Sequence, residues 1–137
     1  MREQVELILE FLSDSDLDRL IRNSDVVLFP YRTIDASGAL MTVLPYRKPI
    51  IASSVGAFAD MLSDNVDSLL IRPGDVEALS HAIGVLSTNR EMLKMLQIGA
   101  AELASKTPSW KSIAQQTISV YERTGRTDIG VSIGFRP

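Results

Sequence analysis

The residues best suited to chemistry lie between Pro30 and Ser53, in PYRTIDASGALMTVLPYRKPIIAS. Arg32 carries a guanidinium that can pair with a phosphate through charge-assisted hydrogen bonds. The loop Thr33–Gly38 feeds a helix that starts near Ala36 or Ser37. The first amides of a helix lack partners within it, and small residues such as Ser37 and Gly38 let an anion approach them. That is the chemistry of a phosphate cradle. A second reading of the same residues is structural: Ser before a helix is most often a cap, Gly38 suits close helix–sheet packing, and Arg32 suits a solvated loop. Local chemistry alone leaves both readings open and makes the cap the commoner one.

Other chemistries are excluded by what the chain contains. Its 137 residues include no Cys and one His, His81, so thiol nucleophiles, disulfides and multi-histidine metal sites are ruled out. His81, on an amphipathic helix, reads as a surface residue. Asp14, Asp16 and Asp18 alternate along a helix and so point to different faces, which makes a poor metal cage. Fourteen basic against seventeen acidic residues leave a net charge of −3, which gives no electrostatic reason to expect nucleic acid. No apolar run is long enough to span a bilayer, and charges run through the N-terminal MREQVELILEF. The expected location is cytoplasmic, and attachment to a membrane surface through a further domain of a fuller protein is left open.

These residues need elements to hold them. Val26–Pro30 (VVLFP), Pro49–Ser53 (PIIAS) and Ser68–Asp75 (SLLIRPGD) read as buried parallel strands, the last closing in a Pro-Gly turn. Val5–Phe11 is apolar on both faces and suits either a short buried strand or a helix. Ser13 caps a helix with Leu17, Leu20 and Ile21 on one side, and Leu40, Val43 and Leu44 line the helix that follows Arg32. Asp75 caps a helix whose inner face is read as Val76, Leu79, Ile83 and Leu86. Asn89 opens another through Met92, Leu93, Leu96, Ala100 and Leu103. Thr107-Pro108 begins a last helix carrying Trp110, Ala114, Thr117 and Tyr121. Beyond Gly125 the pattern is lost.

Strands alternating with helices predict an α/β fold: a Rossmann-like parallel sheet with helices on both faces and a helical C-terminal end. In such a sheet, ligands bind beyond the carboxyl ends of the strands. Here those ends are Pro30-Tyr31-Arg32, Ser53–Gly56 and Arg72-Pro73-Gly74.

In their order and spacing these segments resemble the C-terminal, nucleotide-sugar-binding domain of GT-B fold glycosyltransferases, the retaining family 4 (glycosyl transferases group 1). LSDSDLDRLIRNSDVVLFPY is similar to the family's helix and strand leading to Pro-Ser or Pro-Tyr. SGALMTVLPYRKPIIAS is similar to the Ser-Gly form of its donor loop, then a helix, Gly-Lys-Pro and a strand. SVGAFADMLSDNVDSLLIRPGDVEALSHAI resembles its Val-Gly-Gly loop and Pro-Gly-Asp helix start, and SWKSIAQQTISVYE its closing helix. The likeness runs from about Val5 to Glu122.

The resemblance implies roles for particular residues. Many members place two glutamates on this loop and helix, the first near the sugar and the second on the ribose. Asp35 sits near the first position and is the implied catalytic candidate. Counting back from Lys48-Pro49, the second falls on Thr42; counting forward from Asp35, it falls on Val43. Ser37, Gly38 and Ala39 are the implied diphosphate ligands, with Tyr31, Arg32 and Thr42 as further donor-binding candidates. The chain departs from the family pattern at Arg47, usually Gly, at Ala57, the second Gly of Val-Gly-Gly, and at Asp67-Ser68, commonly Asn-Gly.

The implied activity is transfer of a sugar, of hexosyl type, from a nucleotide-diphosphate sugar to an acceptor in glycan, polysaccharide or glycolipid synthesis. No metal or other cofactor is expected. The likeness begins in mid-domain, so residues 1–125 are read as the C-terminal portion of a donor domain and 126–137 as a tail. The sugar or lipid acceptor would bind a further N-terminal domain. The implied partners are thus a nucleotide sugar and that acceptor, with no nucleic acid, and self-association through exposed sheet is expected. Alone, the chain is expected to be inactive. The alternative function is a non-catalytic α/β interaction module that retains the scaffold.

Overall fold

A computed structural model describes residues 6–34 and 38–123. In chain order its elements are α1 (Asp14–Asn23), β1 (Val27–Phe29), α2 (Gly38–Val43), β2 (Ile50–Ser53), α3 (Gly56–Met61), β3 (Ser68–Ile71), α4 (Val76–Thr88), α5 (Arg90–Lys106) and α6 (Trp110–Arg123). A short 3-10 turn, Leu44–Tyr46, continues α2. The chain divides into two compact units, Met1–Ala104 and Ser105–Pro137.

In the first unit the three strands form one parallel sheet in the order β1-β2-β3. Val27, Leu28 and Phe29 stand beside Ile50, Ile51 and Ala52, and Ile50–Ser53 stand beside Ser68–Ile71. Because side chains alternate across a strand, this register sorts the core into two layers. Phe29, Ile50 and Ala52 pack with Ile21 of α1, Leu40 and Val43 of α2, and Phe58 of α3. Ile51, Leu69 and Ile71 pack with Ala82 and Leu86 of α4 and Leu96 of α5. Helices therefore cover both faces, with α1, α2 and α3 on one side and α4 and α5 on the other.

Local chemistry sets the helix starts as the sequence suggests. The Ser13 hydroxyl accepts from the Asp16 amide at 3.2 Å, Asp75 Oδ1 from the Ala78 amide at 2.8 Å, and Asn89 Oδ1 from the Met92 amide at 3.0 Å. Each satisfies one of the orphan first-turn donors. Leu40, Val43 and Leu44 are all buried, as their spacing predicts. Gly74 takes a φ of +77°, the left-handed value that the Pro-Gly turn requires.

Three expectations are corrected. Glu6–Phe11 is neither strand nor helix, and Leu7, Leu9 and Phe11 are exposed. A strand is stable only against a neighbouring strand, and none lies beside this segment among the described residues. The inner face of α4 read in the sequence holds at Leu79 and Leu86, which pack in the core beside Ala82, but not at Val76 and Ile83, which are exposed. Finally, α6 starts two residues after Pro108, where the Ser109 hydroxyl accepts from the Ser112 amide at 3.1 Å. The tail, 126–137, lies outside the described residues.

Gly99 of α5 shows how closely a helix is fitted against a loop. A Cβ built there would lie 2.0 Å from the Val66 carbonyl oxygen, so only Gly allows α5 to press on the turn before β3. That turn is fixed by carboxylates: Asp67 Oδ1 accepts from the Ser63 amide and Asp64 Oδ1 from the Leu70 amide. Asp67 and Ser68, where the resemblance leads one to expect Asn-Gly, are both buried, and the Ser68 hydroxyl donates to the Ser63 carbonyl at 3.3 Å.

Candidate functional site

A parallel sheet brings every strand's carboxyl end to one edge, and the loops leaving that edge build the site. The three sequence-predicted loops do meet there. A cavity of about 150 Å³ is lined by Pro30 and Arg32 after β1, Ser53 at the end of β2, and Ile71, Gly74 and Asp75 at the end of β3. Arg32 is exposed and has no ion-pair partner among the described residues. Ser53 is buried, and its Oγ has no hydrogen-bond partner among the described residues.

Tyr31 stands differently. Its ring meets Phe29 edge-on at 6.0 Å and Phe58 at 5.6 Å, while Phe29 and Phe58 stack at 5.1 Å. Burial of Phe29 and Phe58 anchors the cluster, and Tyr31 is left as its partly exposed outer member. The sheet thus ends on this face in an aromatic floor.

The start of α2 faces the same edge, because α2 runs back from the carboxyl end of β1. Gly38, Ala39 and Thr42 lie together on its exposed side, opposite the buried Leu40 and Val43. A Cβ built on Gly38 meets nothing within 4 Å, so close packing of helix on sheet is not the reason for this Gly. The packing part of the structural reading of the opening stretch is thereby removed. Thr42 Oγ1 donates to the Gly38 carbonyl at 3.0 Å, which leaves its lone pairs free to accept. Of the two countings for the second glutamate, only Thr42 reaches an exposed position; Val43 belongs to the core. Asp35 and Ser37 lie outside the described residues.

The groups whose proton affinities are perturbed lie at the other end of the sheet. Tyr46 and Lys48, just before β2, bind α1: the Tyr46 hydroxyl donates to Asp18 Oδ1, and Lys48 Nζ to the Arg22 carbonyl, both at 2.8 Å. Hydrogen bonding to Arg22, then to Tyr46, holds the Asp18 carboxyl below its ordinary range, and Asp18 in turn raises the Tyr46 phenol. Position alone separates this network from the site. Sequence reading passed over it because its partners stand 28 residues apart. Among the described residues no cluster of His, Cys, Asp or Glu is suited to a metal ion, and no helix is long and apolar enough to cross a membrane.

Known proteins share this sequence pattern and fold. Residues 2–89 match the family Glycosyl transferases group 1, and the chain belongs to that family. It is 30% identical over 113 residues to the MMP alpha-(1->4)-mannosyltransferase of Mycolicibacterium hassiacum, a match covering 82% of this chain and 28% of that protein. Among solved structures it is similar to Anabaena HepE in complex with UDP and glucose, with a TM-score of 0.74, 20% identity, and coverage of 84% of this chain and 31% of HepE. It is also similar to the C-terminal domain of the glycosyl transferase group 1 protein LpcC from Francisella tularensis, with a TM-score of 0.65, 12% identity, and coverage of 77% and 53%. The chain therefore spans under a third of the mannosyltransferase's length. These structural likenesses establish a GT-B glycosyltransferase fold for the sheet and its helices.

Proposed function

We propose that the chain forms the donor-binding wall of a retaining glycosyltransferase that takes a hexosyl group from a nucleotide-diphosphate sugar. The observation that carries this reading is the open, exposed face of α2 at Gly38, Ala39 and Thr42, in a chain of this family. In this reading the Ser37, Gly38 and Ala39 amides bind the diphosphate and Thr42 accepts from a ribose hydroxyl. Asp35 lies near the sugar, Arg32 supplies positive charge at the strand-end edge, and Tyr31 borders the site. Amides fixed at a helix start stabilise charge as it grows on the departing diphosphate, so the residues ask for no metal. HepE was solved with UDP and glucose, which makes a nucleoside diphosphate the first ligand to test. The acceptor, a sugar or a lipid, would be held by polypeptide other than this domain portion, and the chain by itself would not turn over.

Titration of the chain, joined to the preceding half of the domain, with UDP, UDP-glucose and GDP-mannose tests this reading. Amide shifts at Gly38, Ala39 and Thr42 are expected. If none of the three ligands moves them, the donor reading is lost. The absence of both family glutamates favours a second reading, a scaffold kept for interaction without donor affinity. It is the reading that a silent titration would leave standing.

A further inference from the structure

The side chains that β2 and β3 turn toward α4 are apolar until the row reaches its end. Ile51, Leu69 and Ile71 pack there with Ala82 and Leu86. By alternation Ser53 lies on the Ile51 side of the sheet, opposite Ala52, which packs with the α2 layer. Its hydroxyl is therefore buried at the end of an apolar layer, with no hydrogen-bond partner among the described residues. A buried hydroxyl left unpaired is costly, and native proteins keep few of them unless something else supplies the partner.

Ser53 lines the cavity of about 150 Å³ at the strand ends, roughly ten times the space one water needs. The cavity lies at the first turn of α4, on the side of the sheet away from α2. Two kinds of surface meet in it: Pro30, Ile71 and Leu79 are apolar, whereas Arg32, Ser53 and Asp75 are polar. Arg32 can only donate. Asp75 can only accept, and the Ala78 amide takes its Oδ1, which leaves Oδ2 to a ligand. Ser53 can do either. Opposite charges on one wall select against simple ions, since Asp75 repels an anion and Arg32 a cation. A neutral ligand with several hydroxyls suits the set. It donates to Asp75, accepts from Arg32, pairs with Ser53, and lays its C–H face on the apolar wall. A pyranose ring has that chemistry.

We propose that this cavity holds one pyranose unit of a glycan, apart from the donor loop on the other side of the sheet. Asp75 and Arg32 bind neighbouring ring hydroxyls, and Ser53 gains the partner it lacks. No bond is made or broken there, because the sugar held is not the one transferred. The proposal goes beyond the donor reading and meets it only at Arg32.

The test titrates the full chain with methyl α-mannoside and methyl α-glucoside, followed by amide NMR, up to about 100 mM so that millimolar dissociation constants are reached. Saturable shifts are expected at Ser53, Gly74, Asp75 and Val76, with Gly38, Ala39 and Thr42 unmoved. Under the donor reading UDP moves the second set, so the two readings fail separately. No saturable shift from either glycoside overturns the proposal. So does binding of free mannose or glucose without their glycosides, or inorganic phosphate moving the same amides in their place. Ser53→Ala checks the unpaired hydroxyl without any ligand: its removal should raise the denaturation midpoint. A midpoint that does not rise would show that Ser53 is already satisfied within the chain, and the proposal falls. Asp75→Asn keeps a helix cap but removes the charge, so glycoside affinity should drop about threefold to tenfold at a nearly unchanged midpoint. Full affinity in that variant also counts as refutation.

Discussion

The Tyr46 hydroxyl donates a 2.8 Å hydrogen bond to Asp18 Oδ1, while Arg22 binds Asp18 Oδ2 at 2.8 Å and lays its guanidinium 5.3 Å from the Tyr46 ring centre. One carboxylate thus ties α1 to the entry of β2, at the end of the sheet opposite the candidate site.

This arrangement makes stability depend on pH at both extremes. The Asp18 carboxyl is held below its ordinary 3.8, first by Arg22 and then by Tyr46, so its contribution is present above that value and lost as pH falls through the lowered one. The Tyr46 phenol is raised above 10.0 by Asp18, so its contribution is present below that value and lost as pH rises through the raised one. Tyr46→Phe should remove the alkaline loss and move the Asp18 titration upward. Carboxyl carbon NMR across the acid range checks the second effect, and an unmoved Asp18 would contradict it.

Two glycines in helices should respond to Ala in opposite directions. At Gly99 the new methyl would meet the Val66 carbonyl at 2.0 Å, so either α5 or the turn must shift, at a cost of about 1–3 kcal/mol. At Gly84 the methyl meets nothing within 4 Å, and Ala should stabilise α4 by about 0.5–1 kcal/mol. Paired denaturant titrations measure both, and a Gly99→Ala chain as stable as the parent would refute the close fit.

Arg47 occupies a left-handed conformation, with φ 57° and ψ 35°, at the end of the 3-10 turn. A side chain there costs about 1–2 kcal/mol, partly offset by the greater freedom glycine has when unfolded. Arg47→Gly is therefore expected to stabilise the fold by up to about 1 kcal/mol, seen as a higher denaturation midpoint with an unchanged slope. The requirement for this backbone shape gives a physical reason for the Gly usual at this place in the family.

Thr42→Glu tests the donor reading on the exposed face of α2. A carboxylate accepting from ribose hydroxyls is worth about 1.5–3 kcal/mol, so affinity for a nucleoside diphosphate should rise about tenfold or more in the completed domain. Calorimetry with UDP reads this directly. No gain, with the fold intact, would favour the interaction-module reading.

Much of the scaffold could be read from short-range pattern. The runs at Val27–Phe29, Ile50–Ser53 and Ser68–Ile71 are strands, and the caps at Ser13, Asp75 and Asn89 act within their own first turns. The loops predicted to form the site meet at one sheet edge, because parallel topology alone sends them there. What pattern could not give was any property that depends on a distant neighbour. Val5–Phe11 had the composition of a buried strand, yet its described residues have no strand beside them. Which residues of α4 reach the core, Ala82 and Leu86 but not Ile83, was set by packing, and Gly38 could be separated from a packing glycine only by the open space around it.

By itself, then, the sequence determined the three strands, the caps at Ser13, Asp75 and Asn89, and the edge on which a ligand would sit, since these follow from local hydrogen bonding and hydrophobic period. Only the tertiary structure decided that Thr42 and not Val43 faces outward, and that Gly99 is required by Val66. Each depends on atoms brought together from far apart in the chain, and neither periodicity nor propensity carries information about those encounters.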